Sequence, residues 1–253
     1  MSKLFCFPGF LLALSLLFAC NTVSHAQDTG GPGNPANACL AFKHGLSLGA
    51  PLERIKKKLQ AGRTLTVVAF GSSSTTGFGT FRSGSAFPDV MKRELLRLLP
   101  SARIELINSG RILDDLPGNI ARLDDDVLRH KPDLVLWQLG TNDVVWRGIA
   151  HNAKHMLSDA VRRLKGADTD VVLIDLQYAP VVLVAKRHSQ MEKIIADVAR
   201  EQNVGHFPRF LLMQRAIDGG VKGLVLWDGL HNTSEGHKCV GLALAQMIDA
   251  AVR

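Results

Sequence analysis

The chain has 253 residues, 46% of them hydrophobic and 21% charged, which is enough apolar material for one globular domain with a substantial core. Its formal net charge is +7, yet it holds a single Tyr and no basic stretch interleaved with aromatics, which argues against a nucleic-acid partner. No Cys-x-x-Cys or clustered His/Cys pattern points to a metal.

The first residues read as an export signal. Lys3 precedes an apolar run from Phe10 to Ala19, and Ser24-His25-Ala26 offers a small-residue cleavage site, so residues 1–26 are expected to be removed and the protein to be periplasmic or secreted. The run is too short for a transmembrane helix, and no stable membrane insertion is expected. Leu17-Phe18-Ala19-Cys20 resembles a lipobox, with Phe18 a poor fit, and gives a lipidated Cys20 as the alternative mature terminus. Cys39 and Cys239 then remain. In an oxidising compartment they either pair, tying the N-terminal arm to the last helix, or stay separate as small buried residues.

Residues 27–38 are rich in Gly, Pro and Asn and read as flexible, within an arm of 27–50 that precedes one domain at 51–253. Pro51 to Gln60 predicts a short helix. Its run Arg54-Ile55-Lys56-Lys57-Lys58 reads as a solvated face or as a patch for an anionic polysaccharide or membrane surface. Thr64 to Phe70 is an apolar, β-branched strand that ends abruptly in Gly71-Ser72-Ser73-Ser74-Thr75-Thr76. A helix follows from about Pro88, then a strand over Arg103–Asn108, an amphipathic helix of about 120–130, and a strand over Asp133–Leu139 ending in Gly140-Thr141-Asn142-Asp143. Next come a helix over roughly 151–165, a strand at Asp170–Leu176, a loop from Gln177 to Val184 and a helix near 188–202. A short strand at Val204–Phe207 and a last helix from Ser234 to Val252 complete the chain. Strands alternating with helices at this spacing imply a parallel sheet covered on both faces.

In such a sheet the loops after the strands' carboxyl ends open on one edge, where chemistry sits. A serine there has an exposed hydroxyl and a free N–H, which suits a nucleophile that also holds an oxyanion. Asp228 and His231, three apart before the last helix, can place a carboxylate on one imidazole nitrogen and leave the other for a serine proton. His188, His206 and His237 read as surface or capping residues. Arg111, Asp114 and Asp115 read either as substrate contacts or as a solvated loop.

With these residues in view, the chain resembles the SGNH (GDSL-type) hydrolases, whose four sequence blocks appear in order over about 64–252. Gly71-Ser72-Ser73-Ser74 matches the nucleophile block, with Ser72 where the family usually has Asp. Gly140-Thr141-Asn142-Asp143 matches the block whose Asn supplies an oxyanion amide, and Asp228-Gly229-Leu230-His231 the acid–base block. Leu136-Trp137-Gln138 and Gln177-Tyr178-Ala179-Pro180 are similar to a bacterial subgroup with a Gly-Ser-Ser-Ser first block. The second block departs: five residues after Asn108, where the family has an oxyanion Gly, stands Leu113, while a glycine occurs earlier at Gly110.

The resemblance implies a flavodoxin-like three-layer α/β sandwich with a five-stranded parallel sheet in the order 2-1-3-4-5. It implies a serine esterase without cofactor or metal, acting on short acyl esters of a carbohydrate or envelope glycan. Ser73 would be the nucleophile, His231 the base and Asp228 its partner. The oxyanion would rest on the Ser73 N–H, Asn142 and an N–H from Gly110 or Leu113. Two other readings use the same chain: an O-acyltransferase on envelope polysaccharide, and a non-catalytic binding module, for which Leu113 is the best argument. An α/β-hydrolase elbow would need a second glycine where Thr75 stands.

Overall fold

The computed structural model describes residues 34–80 and 82–253. The expected leader and Cys20 lie outside the described residues. In chain order the elements are α1 (Pro35–Leu40), α2 (Glu53–Gln60), β1 (Thr64–Gly71), α3 (Ser73–Thr76), α4 (Phe87–Leu98), β2 (Arg103–Gly110), α5 (Leu116–Ala121), α6 (Leu123–Asp126) and β3 (Leu134–Gln138). They continue as α7 (Ala153–Gly166), β4 (Asp170–Ile174), α8 (Pro180–Val184), α9 (His188–Gln202), β5 (Gly205–Phe207), α10 (Arg209–Asp218) and α11 (Ser234–Val252).

All strand pairs are parallel, in the order β2-β1-β3-β4-β5, as expected. The reason lies in the strand sequences. β3 is buried at all five positions and β1 at six of eight, the mark of strands covered on both faces. Alternate residues face opposite layers. Leu65, Val67, Leu134 and Leu136 join the layer of α1, α2, α4 and α11, while Val68, Phe70, Val135 and Trp137 join that of α5, α7 and α9.

Several expectations need correction. Within the arm read as flexible, Pro35–Leu40 form α1, which the Asn34 side chain caps by accepting the Ala36 N–H at 2.8 Å. Of the two readings open for the cysteines, the pairing is found: Cys39 on α1 is bonded to Cys239 on α11, with Cα atoms 5.9 Å apart. The helix expected over 120–130 is broken: α5 starts earlier, behind Pro117, and Arg122 (φ −113°, ψ 11°) leaves helical geometry between α5 and α6. The loop expected over Gln177–Val184 contains α8, opened by Pro180. α10 was not anticipated, although its buried residues Phe210, Leu212, Met213 and Ala216 follow helical spacing.

Candidate active site

β1 ends at Gly71, where φ is +148° and a Cβ would meet the Gln138 carbonyl oxygen at 2.4 Å; only glycine passes this close to β3. Ser72 follows, and both its N–H and its hydroxyl donate to Gln138 Oε1, at 3.0 and 2.8 Å. The Ser72 hydroxyl thus bolts the loop to β3. Ser73 opens α3, so its N–H has no acceptor within the helix. It is 8% exposed, and its Oγ lies 3.1 Å from His231 Nε2.

His231 and Asp228 sit on a tight excursion closed by the Leu226 N–H to His231 carbonyl bond at 2.8 Å. His231 Nδ1 lies 2.7 Å from Asp228 Oδ2, so the carboxylate accepts the Nδ1–H bond and leaves Nε2 to face Ser73. Asp228 Oδ1 accepts the N–H groups of Leu230 and His231 at 2.9 and 3.0 Å. Burial alone would raise the Asp228 carboxyl; the His231 hydrogen bond and these two N–H groups outweigh it and hold the group below the usual carboxylate range. Gln177 links blocks: its Oε1 accepts from Thr141 Oγ1 at 2.8 Å and its Nε2 donates to the Leu230 carbonyl at 3.1 Å.

Beside His231 stands the Phe78 ring, with centroids 4.3 Å apart. Its backbone is held by His237, which is fully buried rather than at the surface. His237 Nε2 donates to the Phe78 carbonyl at 3.1 Å, and Nδ1 accepts the Phe87 N–H at the start of α4 at 3.2 Å. Burial drives its pKa down to about 4, so the ring is neutral. His188 and His206 pair with Glu192 and Asp175, at 2.8 and 3.0 Å.

The second block resolves into two different roles. Gly110 pairs with Gly71 at the end of the β1–β2 ladder and donates its N–H to Asn108 Oδ1 at 3.0 Å. A Cβ there would meet Thr76 N at 2.5 Å. Asn108 Nδ2 donates to the Thr75 carbonyl at 2.7 Å, so this pair ties β2 to α3. Leu113 instead sits third in a turn closed by the Asp114 N–H to Arg111 carbonyl bond at 3.3 Å. Its φ is +64°, the left-handed region that glycine favours, and no described group accepts its N–H. Asn142 Nδ2 donates to the Asp114 carbonyl at 2.8 Å, which uses one of its two protons and leaves the other.

Neighbouring residues are structural. Asp115 caps α5 by accepting the Gly118 N–H at 2.8 Å, and Asp114 is taken up by Arg122 and Asn119, each at 2.5 Å. Arg111 is the exposed one, 3.3 Å from Asp126. Asp143 is buried; its Oδ1 accepts the Leu116 N–H at 3.1 Å and its Oδ2 has no partner. Burial, with the charge of Asp115 adding to it, pushes its pKa up to about 6. The sequence did not single out Arg122, whose position between α5 and α6 reads as helix, nor Phe78, Asp143 or His237, which act across a long sequence separation.

The large hydrophobics that remain exposed among the described residues are Phe78, Ile112, Leu113, Trp146, Leu183, Val184 and Trp227. Each lies on a connection leaving a strand's carboxyl end or directly before Asp228, so the apolar surface gathers on the edge that holds Ser73. No group of three or more His, Cys, Asp or Glu among the described residues is arranged to hold a metal.

The chain is 32% identical over 157 residues to an arylesterase of Vibrio mimicus, a match that spans 59% of this chain and 75% of that one. Among solved structures, an acetyl xylan esterase from Geobacillus stearothermophilus superposes with a TM-score of 0.64 at 19% identity, over 73% of this chain and 94% of the other. A two-domain esterase active on acetylated mannans gives 0.68 at 20% identity, over 80% of this chain and 54% of that one. These two share the fold. The sequence profile of the Non-GDSL lipase-like family matches residues 38–253, and the chain belongs to that family.

Proposed function

We propose that the protein is an exported serine esterase that cleaves short acyl esters, of the acetyl type, on a carbohydrate or envelope glycan. The observation that carries the reading is the chain from Ser73 Oγ to His231 Nε2 and from His231 Nδ1 to Asp228 Oδ2. Membership of a lipase-like family, the arylesterase relative and the two glycan-esterase neighbours support an ester as substrate. The Cys39–Cys239 bond and the leader-like N-terminus support an oxidising, extracytoplasmic address.

In this mechanism His231 Nε2 takes the Ser73 proton as Oγ attacks the ester carbonyl, and Asp228 steadies the imidazolium. The tetrahedral oxyanion accepts from the Ser73 N–H, the second Asn142 Nδ2 proton and the Leu113 N–H. An Asp at position 142 would repel the developing charge, whereas the amide donates to it. Each such donor is worth on the order of 3 kcal/mol in the transition state. His231 then protonates the leaving alcohol, and water attacks the acyl-enzyme by the reverse route.

The test is an ester panel, from acetyl to long acyl chains and including acetylated xylan and mannan, run on wild type and Ser73→Ala together. Ser73-dependent cleavage that favours acetyl esters is expected. Cleavage that survives Ser73→Ala would refute the assignment of the nucleophile.

A further inference from the structure

The Leu113 turn hangs from the rest of the site at two points. At one end the Arg111 N–H donates to the Gly71 carbonyl at 2.9 Å. At the other, the Asp114 carboxylate accepts from Arg122 Nε at 2.5 Å. Both attachments meet at one side chain, because Arg122 Nη2 donates to the same Gly71 carbonyl at 2.9 Å. Arg122 Nη1 takes up the Ser109 carbonyl at the end of β2 and Asp126 Oδ2, each at 2.8 Å. The guanidinium is 6% exposed and lies 4.3 Å from the centre of the Phe70 ring. Four of its N–H bonds are therefore spent on groups that flank the site.

Gly71 stands two residues before Ser73, and Leu113 stands one residue before Asp114. The Asp114 carbonyl also orients the Asn142 amide. From this closed ring we infer that Arg122 is a positioning residue: through Asp114 it fixes the Leu113 N–H and the Asn142 amide relative to Ser73, so that both donors meet the oxyanion. The planar fork matters, since a lysine ammonium cannot reach the Gly71 carbonyl, the Ser109 carbonyl and two carboxylates from one fixed centre. The break between α5 and α6 at Arg122 has a use in this light, because it lets the side chain turn under the strand ends instead of running along a helix face. The inference rests on the serine esterase reading above.

The experiment measures Arg122→Lys and Asp114→Asn against wild type, with Ser73→Ala as the baseline and the exposed Arg97→Lys as a surface control. Each is assayed on 4-nitrophenyl acetate, for affinity to a trifluoromethyl ketone that forms a hemiketal with the serine, and by thermal melting. Arg122→Lys is expected to lower kcat by about 10–100-fold, less than outright removal of a donor, with KM within about 3-fold. The trifluoromethyl ketone should lose affinity by the same factor as kcat/KM, since both report the held oxyanion. Asp114→Asn, which keeps the shape and the carbonyl that Asn142 contacts, should move the same way and carries the test if Arg122→Lys does not fold. Folded variants with kcat within 2-fold of wild type, or a loss confined to KM without a matching loss of ketone affinity, would overturn the inference. Wild type without Ser73-dependent cleavage would overturn both the inference and the reading it rests on, whereas failure of the ketone correlation alone leaves the esterase reading standing.

Discussion

The Gly110 amide nitrogen lies 3.0 Å from the Asn108 side-chain oxygen, so the nearer glycine of the second block has its donor engaged. The donor left over is Leu113, in a left-handed conformation that costs a residue with a Cβ about 1–2 kcal/mol. The expected consequence is specific. Leu113→Gly relieves that strain at the price of a more flexible unfolded chain, so the melting temperature should stay level or rise slightly. Acetyl turnover should persist because the backbone N–H survives, and longer acyl esters should be accepted better because the side chain is gone. Chain-length profiles of the two proteins decide it; an unchanged profile would move the acyl pocket away from Leu113.

Much of this was legible in the sequence, for physical reasons that also mark where legibility ended. Runs such as Leu134 to Gln138, buried on both faces, announce strands by composition alone, and the sheet order held. The kinship drawn from the blocks held at the level of a lipase-like family, the Non-GDSL one, and not of the finer subgroup. What could not be read depends on partners distant in the chain. The Asn108–Gly110 bond is local, yet which N–H it leaves open depends on a turn fixed by Arg122 and Asn142. His237 lies on the last helix with ordinary spacing, and only the fold brings it 3.1 Å from the Phe78 carbonyl, 159 residues away. α10 was missed for a different reason: Arg209 at its start is fully buried, so a charge stands where an apolar pattern was sought.

Asp143 should make the native state less stable as pH rises. Its carboxyl titrates near 6 when folded, against an ordinary 3.8, so the folded protein binds more protons between those values. The stabilisation is therefore full below about pH 4 and lost as pH passes 6, a swing of roughly 3 kcal/mol. Asp143→Asn keeps an acceptor for the Leu116 N–H and cannot ionise. Urea unfolding should find it more stable than wild type at pH 8 and level with it at pH 4; equal stability at pH 8 would contradict the burial cost.

The Cys39–Cys239 bond closes 200 residues into one loop. Chain-entropy arguments allow such a crosslink up to ~5 kcal/mol of stabilisation. Reduction, or Cys239→Ser with Cys39→Ser, should lower the melting temperature and free α1 to fray from α11. Limited proteolysis is expected to cut near Ala41 in the reduced protein before it cuts elsewhere. A reduced protein that melts with the oxidised one would show that packing of α1 alone suffices.

His237 pulls stability in the direction opposite to Asp143. Its ring is neutral down to about pH 4 when folded, while an unfolded histidine takes a proton near 6.5. The unfolded state thus binds more protons in that window, and stability rises with pH across it. The contribution is complete above about 6.5 and lost as pH falls to 4, again roughly 3 kcal/mol for the 2.5 units. Protonation would also put a donor on Nδ1 against the Phe87 N–H and break that tie to the start of α4, while the Nε2 bond to the Phe78 carbonyl remains. His237→Gln should tilt the stability curve downward with rising pH between 4 and 6, where Asp143 is then unopposed, although it is less stable than wild type at pH 8 for want of the ring's packing. Asp143→Asn in the same series should make the curve rise across that window, because His237 is then unopposed. Urea midpoints for the three proteins at pH 4, 5, 6 and 8 separate the two groups; a His237→Gln curve parallel to wild type would mean that the acid sensitivity lies elsewhere.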